Sequence, residues 1–320
     1  MVGSHPFGPL CGRTAGVLQL VRILVTGRDG QVARSLAERA RSHEFVFAAR
    51  PEFNLLDPQS IEETIGLVRP DMIISAAAYT AVDQAEDEPA VAMAVNGAAP
   101  GVIGRAAARI DAPVLHLSTD YVFDGSGERA WTEGDATGPI GIYGRTKLIG
   151  EQALAASGAR YTILRTAWIY SPFGDNFVKT MLRLAETRKS LRVVADQYGN
   201  PTSALDIADA LMVIINRWMH DPLNGAGKIY HFAGSGATNW ADFARAIFAE
   251  SVARGGPGCE VIDIPSADYP AKTSRPTNSR LDCTLFEKTF KHTPPSWRLS
   301  LTETMLALLS SSIETRSAAV

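Results

Sequence analysis

The chain has 320 residues, 46% hydrophobic and 20% charged, with a formal net charge of -3 from 31 basic and 34 acidic side chains. That composition suits one large or two modest globular domains and speaks against a protein built to hold a nucleic-acid backbone or a membrane surface. Cys11, Cys259 and Cys283 are far apart and lack metal-type spacing, so free thiols in a reducing, cytoplasmic setting are expected, with no disulfide scaffold and no metal site.

No run approaches the roughly 18 apolar residues of a membrane span. Residues 1–20 lack the basic start and compact apolar stretch of a signal peptide and read as a disordered or appended tail. From Val21 the pattern turns regular. VRILVTG is a β-branched run ending at Gly27, and GQVARSLAERA places Val32, Leu36 and Ala40 on one helical face. Glu44 to Arg50 reads as a second strand. IEETIGLVRP is a helix stopped by Pro70, and DMIISAA is a third strand. The Ala-rich stretch from Glu88 to Arg109 reads as a helix, APVLHLST as a fourth strand, Tyr143 to Ser157 as a helix and YTILRTAWIY as a further strand. Wholly apolar strands alternating with helices predict an α/β fold: a Rossmann-type parallel sheet with helices on both faces and ligands at the C-terminal strand ends.

After Tyr170 the rhythm loosens into helices, short strands and a Pro-rich loop from Ile264 to Thr277. Asn239 is a candidate helix cap, and a last helix is expected from Leu299 to Ser310. The expected division is a dinucleotide-binding core over 21–170 and a smaller, mainly substrate-binding region over 171–320 that returns in places to the core sheet.

Between the first strand and helix stands TGRDGQVA. Gly27 permits the tight turn, Gly30 lets backbone approach a pyrophosphate, and Ala33 is small enough for close helix–strand packing, while helix N-terminal amides face the negative charge. The strand–turn–helix context makes this a nicotinamide-dinucleotide site rather than a plain turn. A carboxylate ending the second strand would favour NAD. Here that strand ends in Arg50, with Arg28 in the glycine loop, and two guanidiniums suit a 2'-phosphate. NADPH is the expected cofactor, with NADH a secondary one; the competing reading is two solvated arginines. Asn54, Leu55 and Asp57 stand where the adenine edge would fall. Ala76, Ala77 and Ala78 leave room after the third strand, unless they are core packing.

Tyr143 and Lys147, four residues apart, share one helical face, and Thr119 ends the preceding strand. An ammonium nearby is expected to lower the tyrosine pKa from its usual value of about 10. Thr119 would hold a carbonyl oxygen while Tyr143 protonates the developing alkoxide. Asp83, Glu86, Asp87 and Glu88 form an acidic run whose default reading is a solvated helix face.

The segments GRDGQVA, SAAAYTAVDQAEDEP, HLSTDYVFDG, YGRTKLIGE, LRTAWIYSPFGDNFVKTML, ADQYGNPTSALDIA and RPTNSRLD span residues 22 to 282. Together they resemble the extended short-chain dehydrogenases/reductases, and within them the dTDP-4-dehydrorhamnose reductase family. That resemblance implies reduction of the C4 ketone of a dTDP-linked 4-keto sugar, dTDP-4-dehydro-β-L-rhamnose, to dTDP-β-L-rhamnose. It also implies that Thr119, Tyr143 and Lys147 are catalytic. Gly30, Gln31, Val32, Ala76, Ala77, Ala78 and Thr80 would contact the cofactor. Asp120, Trp168, Asn176, Phe177, Arg275 and Ser279 would contact the substrate. Two positions depart from the family pattern. Asn54 stands where an aspartate is frequent near the adenine, and Ser35 replaces a glutamate that some members use in a magnesium-linked dimer. A monomer or homodimer without metal is therefore expected. Two other readings compete: an enzyme for another nucleotide-linked keto sugar, and a non-catalytic regulatory subunit of the methionine adenosyltransferase type.

Overall fold

In the computed structural model, residues 20–40 and 42–317 are described, and the expected tail over 1–20 lies almost entirely outside them. The first half alternates strands and helices: β1 (Arg22–Thr26), α1 (Gln31–Arg39), β2 (Glu44–Ala48), α2 (Pro58–Val68), β3 (Met72–Ser75), α3 (Val82–Asp87), α4 (Pro89–Ala92), α5 (Ala99–Arg109), β4 (Val114–Thr119), α6 (Ile142–Ala155) and β5 (Tyr161–Thr166). The second half holds β6 (Ile169–Tyr170), α7 (Phe177–Ala185), β7 (Ser190–Val194), β8 (Tyr198–Gly199), β9 (Thr202–Ser203), α8 (Ala204–His220), β10 (Lys228–His231), β11 (Thr238–Asn239), α9 (Trp240–Val252), β12 (Glu260–Ile264), β13 (Asn278–Ser279), α10 (Thr284–Phe290) and α11 (Trp297–Ser317).

The main sheet has six strands in the order β10-β5-β4-β3-β1-β2, and every pairing is parallel. Its strands are apolar on both faces because both are covered. Val25, Leu115, Leu117 and Leu164 pack toward α1, α8 and α10, while Leu24, Ile73, Val114 and Ile163 pack toward α2, α5 and α6. The sixth strand, β10, lies beyond residue 171 and pairs with β5. A separate core joins α7, α9 and α11 to the small β7–β12 sheet through Val178, Leu191, Phe243, Ile247, Trp297 and Leu301. Among the described residues no helix is long and apolar enough to cross a membrane.

Two expected elements are broken, each for a local reason. The Glu88–Arg109 stretch is not one helix: a π-helical turn over Met93–Ala98 separates α4 from α5. Pro100 has no amide to give the Asn96 carbonyl, so the regular ladder cannot continue. The Asn96 side chain instead holds the backbone of Tyr79, accepting from its amide at 2.8 Å and donating to its carbonyl at 3.0 Å. YTILRTAWIY is likewise two strands. Trp168 adopts a left-handed φ of 48°, which takes the chain out of the main sheet, and β6 pairs with β9 instead.

Candidate active site

The chain runs from β1 to β2 on one side and then crosses to β3 on the other, so strand order reverses between β1 and β3. Open α/β sheets bind ligands in the crevice outside such a reversal. Here Thr26 ties the two strand ends together, its Oγ1 accepting from the amides of both Ala76 and Ala77 at 3.0 Å. Beyond them lies a cleft of about 880 Å³ lined by Gly27, Gly30, Gln31, Val32, Arg50, Asn54, Ala76, Ala77, Ala78, Thr80, Tyr143 and Lys147, among others.

The glycine loop is built for close approach. Gly27 sits at φ 84°, and a Cβ there would lie 3.0 Å from the Cβ of Ala77. Gly30 leaves α1 without a side-chain cap, so its first amides face the cleft as an anion site. These features fit a dinucleotide pyrophosphate.

The adenosine end is more mixed. Arg50 and Asn54 line the cleft, whereas Arg28 is exposed beside Asp29, with 3.7 Å between their charged atoms. Leu55 packs toward the sheet core while its neighbour Leu56 lines the cleft. Asp57 caps α2 by accepting from the Gln59 amide at 3.0 Å.

At the other end, β4 and α6 bring the predicted catalytic side chains together. Thr119, whose Oγ1 donates to Asp120 at 3.0 Å, lies close to the Tyr143 hydroxyl. Burial raises the Asp120 carboxyl to about 6, opposed by the nearby Ser279 of β13 and by Thr119. Its Oδ2 is buried without a partner. The Lys147 Nζ donates to the Leu117 carbonyl at 2.6 Å, and burial pushes this amine down to about 8, opposed by Glu151. The expected lowering of Tyr143 is overturned. Burial and the Asp120 carboxylate push the phenol up to about 12, outweighing the opposing effect of Thr119. Tyr143 therefore stays protonated at neutral pH, as a proton donor must.

The predicted substrate residues are placed unevenly. One face of Trp168 is covered by Trp240, with ring centroids 3.6 Å apart, and Gly199 lies so close that an added Cβ would meet the indole at 2.5 Å. Asn176 caps α7 and donates to Gln31 in the glycine loop at 3.1 Å, while Phe177 packs on Trp240. Neither lines the cleft, but the preceding Gly174 and Asp175 do. The acidic run is partly exposed, as expected, but each carboxylate has a partner. Asp83 pairs with Arg275 at 3.0 Å, Glu86 accepts from the Ile142 amide at 2.8 Å, Asp87 pairs with Lys272, and Glu88 accepts from the Tyr79 hydroxyl at 2.7 Å. The Arg275 Nε remains buried and unpartnered.

Sequence reasoning missed Trp240, the backing of Trp168, and His116, which contacts Lys147. A polar residue between Leu115 and Leu117 in an apolar strand was the available sign of His116. For Trp240 nothing local distinguished a helix-start tryptophan from core.

A glycine loop on a parallel sheet, with a tyrosine–lysine pair on one helix beside a strand-end threonine, defines a nicotinamide-dependent oxidoreductase of the extended short-chain dehydrogenase/reductase class. The RmlD substrate binding domain family matches residues 21–310, and the chain belongs to it. It is 46% identical over 290 residues to the dTDP-4-dehydrorhamnose reductase of Sinorhizobium fredii, covering 90% of this chain and 98% of that one. Against the Escherichia coli K12 dTDP-4-dehydrorhamnose reductase the identity is 40% over 288 residues, covering 88% and 96%. The crystal structure of the Bacillus anthracis dTDP-4-dehydrorhamnose reductase in complex with NADP superposes with a TM-score of 0.83 at 31% identity, covering 90% of this chain and 99% of that one.

Proposed function

We propose that this chain reduces the C4 ketone of dTDP-4-dehydro-β-L-rhamnose to give dTDP-β-L-rhamnose, with NADPH as the preferred cofactor. One observation carries the chemistry: a single cleft has the glycine loop at one end and Tyr143 with Lys147 at the other. The sugar assignment rests on the family and on relatives of matching length that carry this activity in their names.

When bound, the reduced nicotinamide supplies a hydride to C4. The chain's own residues do the rest. Gly27, Gly30, Gln31 and Val32 would hold the pyrophosphate of the cofactor, and Ala76, Ala77, Ala78 and Thr80 line the same cleft. Thr119 holds the ketone oxygen through its hydroxyl. Tyr143 gives its proton to that oxygen as negative charge develops on it. Lys147, charged below about pH 8, stabilises the tyrosinate left behind and reaches for ribose hydroxyls. Asp120, Ser279 and Trp168 bound the sugar, and Arg275, with its unpartnered Nε, faces the diphosphate. Asn176 and Phe177 shape the wall from behind. The choice of NADPH is carried by Arg50, which lines the cleft where a 2'-phosphate would meet a guanidinium, while Arg28 stands outside the lining beside Asp29.

The test is oxidation of NADPH and of NADH with the dTDP-linked 4-keto sugar, run beside other nucleotide-linked 4-keto sugars and repeated with Arg50→Glu. Turnover should be fastest with the rhamnose precursor, and Arg50→Glu should raise KM for NADPH about tenfold while leaving NADH nearly unchanged. Equal rates on a different keto sugar would remove the substrate assignment. An unchanged NADPH-to-NADH ratio in the variant would remove the cofactor assignment.

A further inference from the structure

His116 is buried at 1% exposure in the middle of β4 and is not used by the chemistry above. Its neighbours Leu115 and Leu117 face α1 and α8, so strand alternation turns the imidazole toward α5 and α6. Register sets Ser75 of β3 directly beside it, and the Ser75 Oγ is 3.0 Å from Nδ1. The other ring nitrogen, Nε2, lies 3.4 Å from the Lys147 Nζ.

An ammonium has three donors and no acceptor. The Leu117 carbonyl takes one at 2.6 Å. The second can be taken only if Nε2 carries a lone pair, which requires the proton on Nδ1, donated to Ser75. With both anchored, the third N–H of Lys147 is left for the cleft that this residue lines. The opposite tautomer would set an N–H against an ammonium in a buried site. Burial and the Lys147 charge both hold His116 well below its usual value, so the ring is neutral and able to accept.

We propose that His116, oriented by Ser75, is a positioning residue that anchors the Lys147 ammonium and keeps it charged in the closed site. This inference rests on the catalytic role given to Lys147 above. The groups facing Lys147 are Tyr143 and Glu151 on its own helix and His116 on β4. Glu151 is itself held by Arg165 of β5 at 2.7 Å. Glu151 therefore supplies long-range attraction, and His116 supplies the directional contact.

The experiment combines kcat–pH profiles of wild type, His116→Phe, His116→Gln and Ser75→Ala with the Lys147 titration in each, read by NMR of 13C-labelled lysine. With seven lysines in the chain, Lys147→Met assigns the signal. Loss of one acceptor to a buried charge should lower kcat by roughly ten- to a hundredfold in His116→Phe. KM for the keto sugar should stay within about twofold. The alkaline limb and the Lys147 midpoint should both move down by roughly one pH unit. His116→Gln, whose Oε1 reaches about as far as Nε2, should restore both toward wild type. Ser75→Ala, which keeps the ring and frees its tautomer, should move them in the same direction by less. A His116→Phe enzyme with the Lys147 midpoint in place overturns the proposal even if kcat falls, because such a loss is structural. So does a folded His116→Gln enzyme that titrates like His116→Phe. If wild type is idle on the keto sugar while the midpoint still moves, the functional reading fails and the positioning role stands.

Discussion

Removing the Tyr143 hydroxyl separates chemistry from binding. In Tyr143→Phe any contact of the hydroxyl with the nearby Thr119 disappears but the ring and its edge contact with Tyr121, centroids 5.4 Å apart, remain. A lost neutral hydrogen bond is worth about 0.5–1.5 kcal/mol, and the hydroxyl's burial penalty leaves with it. Stability should therefore change by under about 1 kcal/mol, a few degrees of Tm at most. Loss of a positioned general acid removes about 10²–10⁴ in rate, or roughly 3–5 kcal/mol of barrier. Turnover should collapse in an enzyme that melts almost normally and still quenches NADPH fluorescence with near-wild-type affinity. The pH profile sharpens the test. Tyr143 is held up to about 12, so it keeps its proton over the accessible range, whereas Lys147, down to about 8, loses its charge as pH rises through that value. The alkaline limb of kcat/KM for the free enzyme should thus sit near pH 8 and persist in the residual activity of Tyr143→Phe. A variant retaining kcat within about threefold would refute Tyr143 as proton donor. A limb that vanished with the hydroxyl would refute Lys147 as its source.

The Glu151–Arg165 pair and Asp120 offer two further tests. Glu151 and Arg165 meet bidentately at 2.9 and 2.7 Å with each side chain 3% exposed, so Glu151→Gln leaves a buried guanidinium unpaired and should cost about 3–5 kcal/mol. Glu151→Leu combined with Arg165→Met should be less destabilised than either single change, and additive losses in denaturant titration would contradict this. Asp120 is raised from 3.8 to about 6, so between those values the folded state binds more protons than the unfolded chain, and stability falls as pH rises. At most about 3 kcal/mol is involved. The stability of Asp120→Asn relative to wild type should therefore climb from pH 4 to pH 7 and level off above; a pH-independent difference in urea midpoints would reject the raised carboxyl.

Local rules explain what was legible. The glycine loop and the Tyr143–Lys147 spacing each depend on only a few consecutive residues, and both line the cleft, whereas Thr119 is buried at the end of β4, next to Ser118, which does line it. The turn at Trp168 was hidden because a tryptophan in an apolar run reads as strand. What turns it out is tertiary: the stack on Trp240 and the close approach of Gly199. The π-turn at Met93–Ala98 was visible in principle, since Pro100 deprives Asn96 of a partner, but the alanines around it pull the reading toward helix. The acidic run read as solvated because its cations, Lys272 and Arg275, lie almost two hundred residues away in sequence. The Tyr143 shift went the wrong way for a related reason. Spacing reveals the ammonium, but neither the burial nor the Asp120 carboxylate, which together raise the phenol.

These long-range contacts have a common direction. Gln31 beside the glycine loop accepts from Ser171 and Asn176, Asp83 holds Arg275, and Asp120 lies near Ser279. Each joins a residue of the parallel sheet's own half to one from beyond β5. These polar side chains tie the segments beyond β5 to the half of the chain that forms the main sheet. Arg275 is held by one bond to a partly exposed Asp83 and keeps a buried, unpartnered Nε, so under the proposed function a diphosphate would meet a guanidinium that is not fully satisfied. Preorganisation of this kind leaves less side-chain freedom to be lost on binding. Under the proposed function, substitutions at Asp83 should register first in the KM for the nucleotide sugar, whereas Glu86, which holds the Ile142 amide at the start of α6 beside Tyr143, should affect turnover as well.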